Sequence, residues 1–194
     1  MNLINQRWLS KTTIAAIIAV LMLASLAGAA LADVPVKGTV FEGQGVPGAD
    51  LGAPREKVET VYGAPANCVS ATIAGGPVTC TYLAGRDGVV FVTYTSYIEP
   101  SPAAEEVQMV VTQVSWRGLN GWHTTRGINT LIARFDPDQA VKAYPNAMVT
   151  YSEDGEIRRI LSTELGLDIR RQIGIGADRP TVTMTIFKPG KYDG

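Results

Sequence analysis

Cys68 and Cys80 are the two cysteines of the chain, and eleven residues separate them in the stretch NCVSATIAGGPVTC. A cysteine pair can serve as a structural bridge, a redox couple or half of a metal site. The common redox couple needs two intervening residues, which this spacing does not give. Zinc needs two further ligands, and the chain has one histidine, His123. In an exported protein two cysteines most often form one bridge. A loop of this size, closed, contributes about 2–3 kcal/mol by restricting the unfolded chain. A Cys68–Cys80 disulfide is therefore expected wherever the compartment is oxidising.

Other reactive groups are sparse. His123, in GWHTTRG, is the one side chain available for histidine acid–base work. No Gly-x-Ser-x-Gly elbow accompanies it, and once the cysteines are bridged no thiol nucleophile is left. Asp87-Gly88 has the composition of a hairpin turn between apolar runs. Trp116, Trp122, Tyr94 and Tyr97 are large aromatics near the middle of the chain. On an exposed sheet face they would anchor a protein or a glycan, and packing in the core is the other reading. Arg158-Arg159 and Arg170-Arg171 follow Glu-Ile and Asp-Ile. Neighbours on a strand point to opposite faces, so one arginine of each pair can join a common patch. Cross-strand pairing with Glu156 and Asp168 is the alternative. Glu153-Asp154-Gly155 reads as a turn with too few ligands for calcium. No catalytic residue, metal site or cofactor is expected.

The redox compartment follows from the N-terminus. Arg7 and Lys11 precede an apolar run from Ile14 to Leu26, and Ala30-Leu31-Ala32 completes the pattern of a secretory signal cleaved before Asp33. An uncleaved anchor is the alternative, because Ile14 to Ala32 is nearly long enough to cross a bilayer. Cleavage removes Arg7 and Lys11 and no acid, turning 17 basic against 18 acidic residues into 15 against 18. That balance excludes the strongly basic face a nucleic-acid binder needs. The expected location is secreted or periplasmic, with no stable membrane insertion after cleavage.

The elements that must position these residues are legible in the periodicity. Residues 33–48, rich in glycine and proline, predict an extended lead-in or edge strand, with one alternation around Thr39 to Phe41, and then a turn. PREKVETVYG predicts a two-turn helix with proline at its start, Val58, Val61 and Tyr62 on one face, and Gly63 as C-cap. VTCTY, GVVFVTYTSY and EVQMVVTQVSW then alternate with a period of two and predict three strands in meander order. DPDQAVKAYP predicts a second short helix capped by Asp136. AMVTYS, EIRRILST and TVTMTIF are strand candidates after it. The succession predicts an α+β fold of two tandem repeats, 49–117 and 118–194, each a short helical segment packed on an antiparallel β-sheet.

LGAPREKVETVYGAPANC, followed by eleven residues and CTYLAGRDG, resembles the first repeat of the β-lactamase inhibitor protein type of domain. A related repeat occurs in outer-membrane assembly lipoproteins of the SmpA and BamE type. The resemblance covers about 45 residues of the first unit and implies the same tandem helix-on-sheet fold. In inhibitory members the loop after the second cysteine presents an aspartate and a tyrosine to the enzyme. Asp87 is the nearest match to that aspartate, and Gly88 follows where the tyrosine would stand.

The expected function is an exported, non-enzymatic, inhibitor-like protein-binding module, its partner an unidentified extracytoplasmic protein. Asp87, Tyr94, Trp116 and Trp122 are its candidate partner-binding residues. The alternatives are a soluble accessory factor of envelope assembly, an enzyme using His123, and a carbohydrate binder using Trp116 and Trp122.

Overall fold

A computed structural model describes residues 34–35, 37–71, 76–84, 88–98, 107–119, 121–129, 134–173 and 180–191. The signal segment 1–32 and Asp87 lie outside them.

Among the described residues two short helices form where local chemistry dictates. Helix α1, Arg55–Tyr62, starts after Pro54 and ends at Gly63, whose φ of 78° is the left-handed region glycine adopts freely. It buries Val58 and Tyr62 and leaves Val61 exposed. In α2, Pro137–Ala143, the Asp136 carboxylate accepts from the backbone N–H groups of Asp138 and Gln139.

The remaining elements are strands: β1 (Lys37–Val40), β2 (Gly45–Val46), β3 (Ala49–Asp50), β4 (Asn67–Ser70), β5 (Val78–Ala84), β6 (Gly88–Ile98), β7 (Val107–Arg117), β8 (Gly121–Thr124), β9 (Met148–Tyr151), β10 (Ile157–Ser162), β11 (Leu167–Ile173) and β12 (Pro180–Phe187). Eight of them form one antiparallel sheet in the order β4-β5-β6-β7-β12-β11-β10-β9. β2 and β3 form a hairpin, and β1 pairs with β8 in parallel. The stretch expected as an extended lead-in or edge strand supplies β1 and β2.

This corrects the expected fold class. The chain is mostly β and builds one continuous sheet, where two helix-on-sheet α+β repeats were expected. The join is the pairing of β7 with β12, from Arg117 opposite Thr183 to Gln113 opposite Phe187. The helices have eight and seven residues, and α2 buries only Ala140, so strands supply most of the core.

The core lies on one face of that sheet. Tyr82, Val90, Trp116, Met184, Ile169 and Ile160 stand in register across β5, β6, β7, β12, β11 and β10, and all six are buried. Tyr62 of α1 packs edge-on to Tyr82, with ring centroids 5.3 Å apart. Trp122 of β8 packs on Trp116 at 5.5 Å. Val46, Ala49 and Ala140 join the same buried cluster. The helices and the small sheets therefore pack on this face. Glu42 ties the β1 end to α2, accepting from the Tyr144 hydroxyl at 2.7 Å and from the Thr125 hydroxyl at 2.5 Å.

The Cys68–Cys80 disulfide is present. The two residues are directly opposite in the β4–β5 hairpin, with Cα atoms 4.0 Å apart, so the bridge closes an edge strand onto the sheet. Among the described residues no helix is long and apolar enough to cross a membrane.

Candidate functional site

Three of the four candidate partner-binding residues are core. Tyr94, Trp116 and Trp122 each have 0% relative exposure. Tyr94 and Tyr82 share a hydrogen bond between hydroxyls at 2.8 Å, and the Arg55 guanidinium lies 5.8 Å from the Tyr94 ring centre. Burial of these phenols, which disfavours the charged form, holds both Tyr82 and Tyr94 above the ordinary tyrosine range. The Trp122 indole N–H donates to the Pro35 carbonyl at 2.5 Å, and that of Trp116 has no partner among the described residues. Buried rings cannot stack on a sugar or fill a partner's pocket, so the aromatic anchors expected from sequence are structural. Alternation carries the signal in β7, where Val114 and Trp116 face the core while Ser115 and Arg117 point away.

His123 is exposed on β8, and its ring nitrogen Nε2 lies 3.4 Å from the Thr39 hydroxyl. It lines neither the cleft beside α2 nor the smaller one around Phe41. The α2 cleft, about 430 Å³, lies between Pro137, Val141 and Lys142 of the helix and Tyr151, Ile157 and Arg171 of the sheet. Asp138 and Lys142 of the helix both line it, and Arg171 is bonded to Glu156 at 2.7 Å.

The other face of the large sheet has a different character. We call it the open face, because the main core cluster lies on the opposite side. One line across it runs Val89, Arg117, Thr183, Arg170, Arg159 and Thr150, on β6, β7, β12, β11, β10 and β9. The neighbouring line runs Phe91, Ser115, Thr185, Asp168, Leu161 and Met148. Hydroxyls pair across strands, Ser115 with Thr185 at 2.8 Å and Thr79 with Thr93 at 3.0 Å. Leu83, Val69 and Met148 stand exposed at its two ends, Leu83 at 62%. Leu161 and Phe187 are buried on this side, apart from the main core cluster.

Asp168 organises the arginines of this face. Its side chain is 1% exposed and accepts from Arg159 through Nε at 2.9 Å and Nη2 at 3.0 Å. Arg170, directly opposite Arg159, donates from Nε to the same carboxylate at 2.7 Å. The two arginine side chains stay 26% and 38% exposed. The expected choice between a patch and cross-strand pairing is resolved as both: Arg159 and Arg170 share one face through Asp168, while Arg171 turns to Glu156 on the other. Sequence reasoning missed that one buried acid would hold two arginines on adjacent strands, because the β10–β11 register is not a local signal.

No family model, curated protein or solved structure matches the chain.

Proposed function

We propose that the chain is an exported, non-enzymatic protein-binding module, inhibitor-like in its mode of action, whose contact surface is the open face of the eight-stranded sheet. The observation that carries this reading is the composition of that face: arginines fixed by a buried acid, paired hydroxyls, and exposed Leu83, Val69 and Met148 at its ends. Arginine and apolar side chains ringed by polar groups are what protein interfaces use. The disulfide supports an oxidising, secreted or periplasmic location.

The test is capture from extracytoplasmic extract with the chain as bait. Wild type is expected to capture a saturable partner. Leu83→Asp, on the open face, is expected to lose it, and Lys57→Ser, on exposed α1, to keep it. Absence of any saturable partner, or loss only with Lys57→Ser, overturns the proposal.

A further inference from the structure

The eight-stranded sheet ends in two edges, β4 and β9. The β9 strand, MVTY, carries neither a charge nor a proline, the residues with which natural sheets keep an edge from pairing with another chain. Met148 and Tyr151 stand exposed on it. Ser152 donates its N–H to the Glu156 carbonyl at 2.8 Å, which sets the alternation of the β9–β10 ladder. By that alternation the N–H and C=O groups of Tyr151 and Val149 point away from β10, and among the described residues no strand pairs with them. Such an edge recognises an extended chain. A helix has its own N–H and C=O groups bonded internally and cannot complete the ladder. The β4 edge is also uncharged, but neither cleft described above adjoins it.

We propose that β9 is a docking edge for an extended, uncharged segment of another protein, which adds antiparallel to β9 and places a large apolar side chain, opposite Tyr151, in the cleft beside α2. This site uses the backbone of β9 and its helix side, and it does not depend on the open-face contact proposed above. Val149 and Tyr151 lie opposite Ile160 and Ile157 and share their face, the side on which α2 packs over β10. In antiparallel pairing the residue opposite Tyr151 points to that same side. There Tyr151 lines the cleft with Pro137, Val141 and Ile157, so the site offers apolar surface beside open backbone groups. Charge complementarity sets the rest of the segment. The acids lining the cleft, Asp138 and Glu156, are matched by Lys142 and Arg171, and β9 itself is neutral, so nothing here attracts a charged strand. A second copy of the chain fits less well. Two-fold registers that keep β9 within the pairing put Val149 or Ala147 of the copy opposite Tyr151, and both are too small to fill a cleft of about 430 Å³.

The experiment is a titration of the isotopically labelled chain with the capped peptide acetyl-Ser-Thr-Leu-Thr-Val-Thr-Ser-amide. Versions with alanine or aspartate in place of leucine, and one N-methylated at leucine and valine, are titrated in parallel. The leucine peptide is expected to shift the amides of Val149, Tyr151, Val141 and Gly155, with an affinity unchanged between roughly 50 and 500 mM salt. The alanine peptide should bind about tenfold more weakly, and the aspartate peptide more weakly still. N-methylation keeps both side chains and removes the donors to β9, and should weaken binding about fivefold or more. Val149→Pro removes an outward N–H, where an edge strand tolerates proline, and Tyr151→Lys puts a charge on the edge. Each is expected to weaken binding about fivefold or more, and Lys57→Ser on α1 to leave it unchanged. No binding of the leucine peptide at millimolar concentration overturns the proposal, as does equal binding of the leucine and aspartate peptides. Equal binding of the N-methylated peptide shows a cleft ligand without strand addition and overturns it too. Shifts at Ser115 and Thr183 in place of Val149 and Tyr151 place the peptide on the open face, which removes this site and leaves the earlier reading standing. Dimerisation of the chain alone, with the Val149 and Tyr151 amides shifting on dilution, gives the edge to a second copy and also overturns the proposal.

Discussion

Asp168 gives the sharpest energetic test, because the two sides of its ion-pair cluster are unequally buried. The carboxylate is 1% exposed and accepts from Arg159 Nε and Nη2 and Arg170 Nε among its contacts, while the side chains of Arg159 and Arg170 are 26% and 38% exposed. In Asp168→Asn the arginines lose the carboxylate's charge but stay partly exposed. The cost is that of damaged charge-assisted hydrogen bonds, about 1–3 kcal/mol. In the double variant Arg159→Met with Arg170→Met the carboxylate stays in place without these two cations. Breaking a buried ion pair by removing one side costs about 3–5 kcal/mol. Adding Asp168→Leu to the double variant removes that charge and should recover most of the loss, since apolar replacement of a whole buried ion cluster is often neutral. Urea unfolding of the four proteins, followed by tryptophan fluorescence and far-UV dichroism together, measures the order directly. The expected ranking places the double arginine variant below Asp168→Asn and the triple above the double. A double variant as stable as Asp168→Asn, or a triple no better than the double, refutes the reasoning.

Three further outcomes follow from particular contacts. Replacing both Cys68 and Cys80 by serine is expected to cost about 3 kcal/mol, as the closed loop of twelve-residue separation implies, and to raise hydrogen exchange in β4 and β5 first; unchanged β4 protection contradicts it. Gly166→Ala should cost about 2 kcal/mol or more by chemical denaturation, since φ is +68° there and an added Cβ would stand 2.0 Å from the Phe187 carbonyl oxygen; a neutral effect contradicts that geometry. Burial raises the pKa of Tyr62, Tyr94 and Tyr144 above the ordinary tyrosine value in the folded state. Because the unfolded phenols lose protons first, their contribution to stability is complete below about pH 10 and is lost as pH rises above it. Tyrosinate absorbance should therefore lag in the native protein and jump with unfolding; all seven tyrosines titrating together near pH 10 in the folded chain contradicts this.

Much of the local structure was legible. Pro54 and Gly63 bracket α1, Asp136 caps α2, and the β5–β6–β7 meander follows from alternation in VTCTY, GVVFVTYTSY and EVQMVVTQVSW. The illegible strands lack that alternation. All four residues of β4, NCVS, are exposed, so no apolar side chain marks a face. In β11, LDIRRQI, the open-face residues include Asp168 and Arg170, and Arg171 on the other side turns to Glu156, so three charged residues hide a strand whose Leu167 and Ile169 are core. The division into two α+β units failed for a nonlocal reason, since nothing in EVQMVVTQVSW or TVTMTIF says that they pair with each other. The aromatic anchors failed because Trp116 and Trp122 have the same composition signal on a surface as in a core, and contact between the two rings decides the matter.

Site-specific photo-crosslinking in the organism's own extracytoplasmic compartment tests the central claim most directly, with the photoreactive group placed at Thr183 between Arg117 and Arg170, or at Lys57 on exposed α1. A saturable cross-linked partner from position 183, competed by excess unlabelled chain and absent from position 57, is the expected result. Cross-links from position 57 alone, or none from 183 at any concentration, contradict a docking role for the open face.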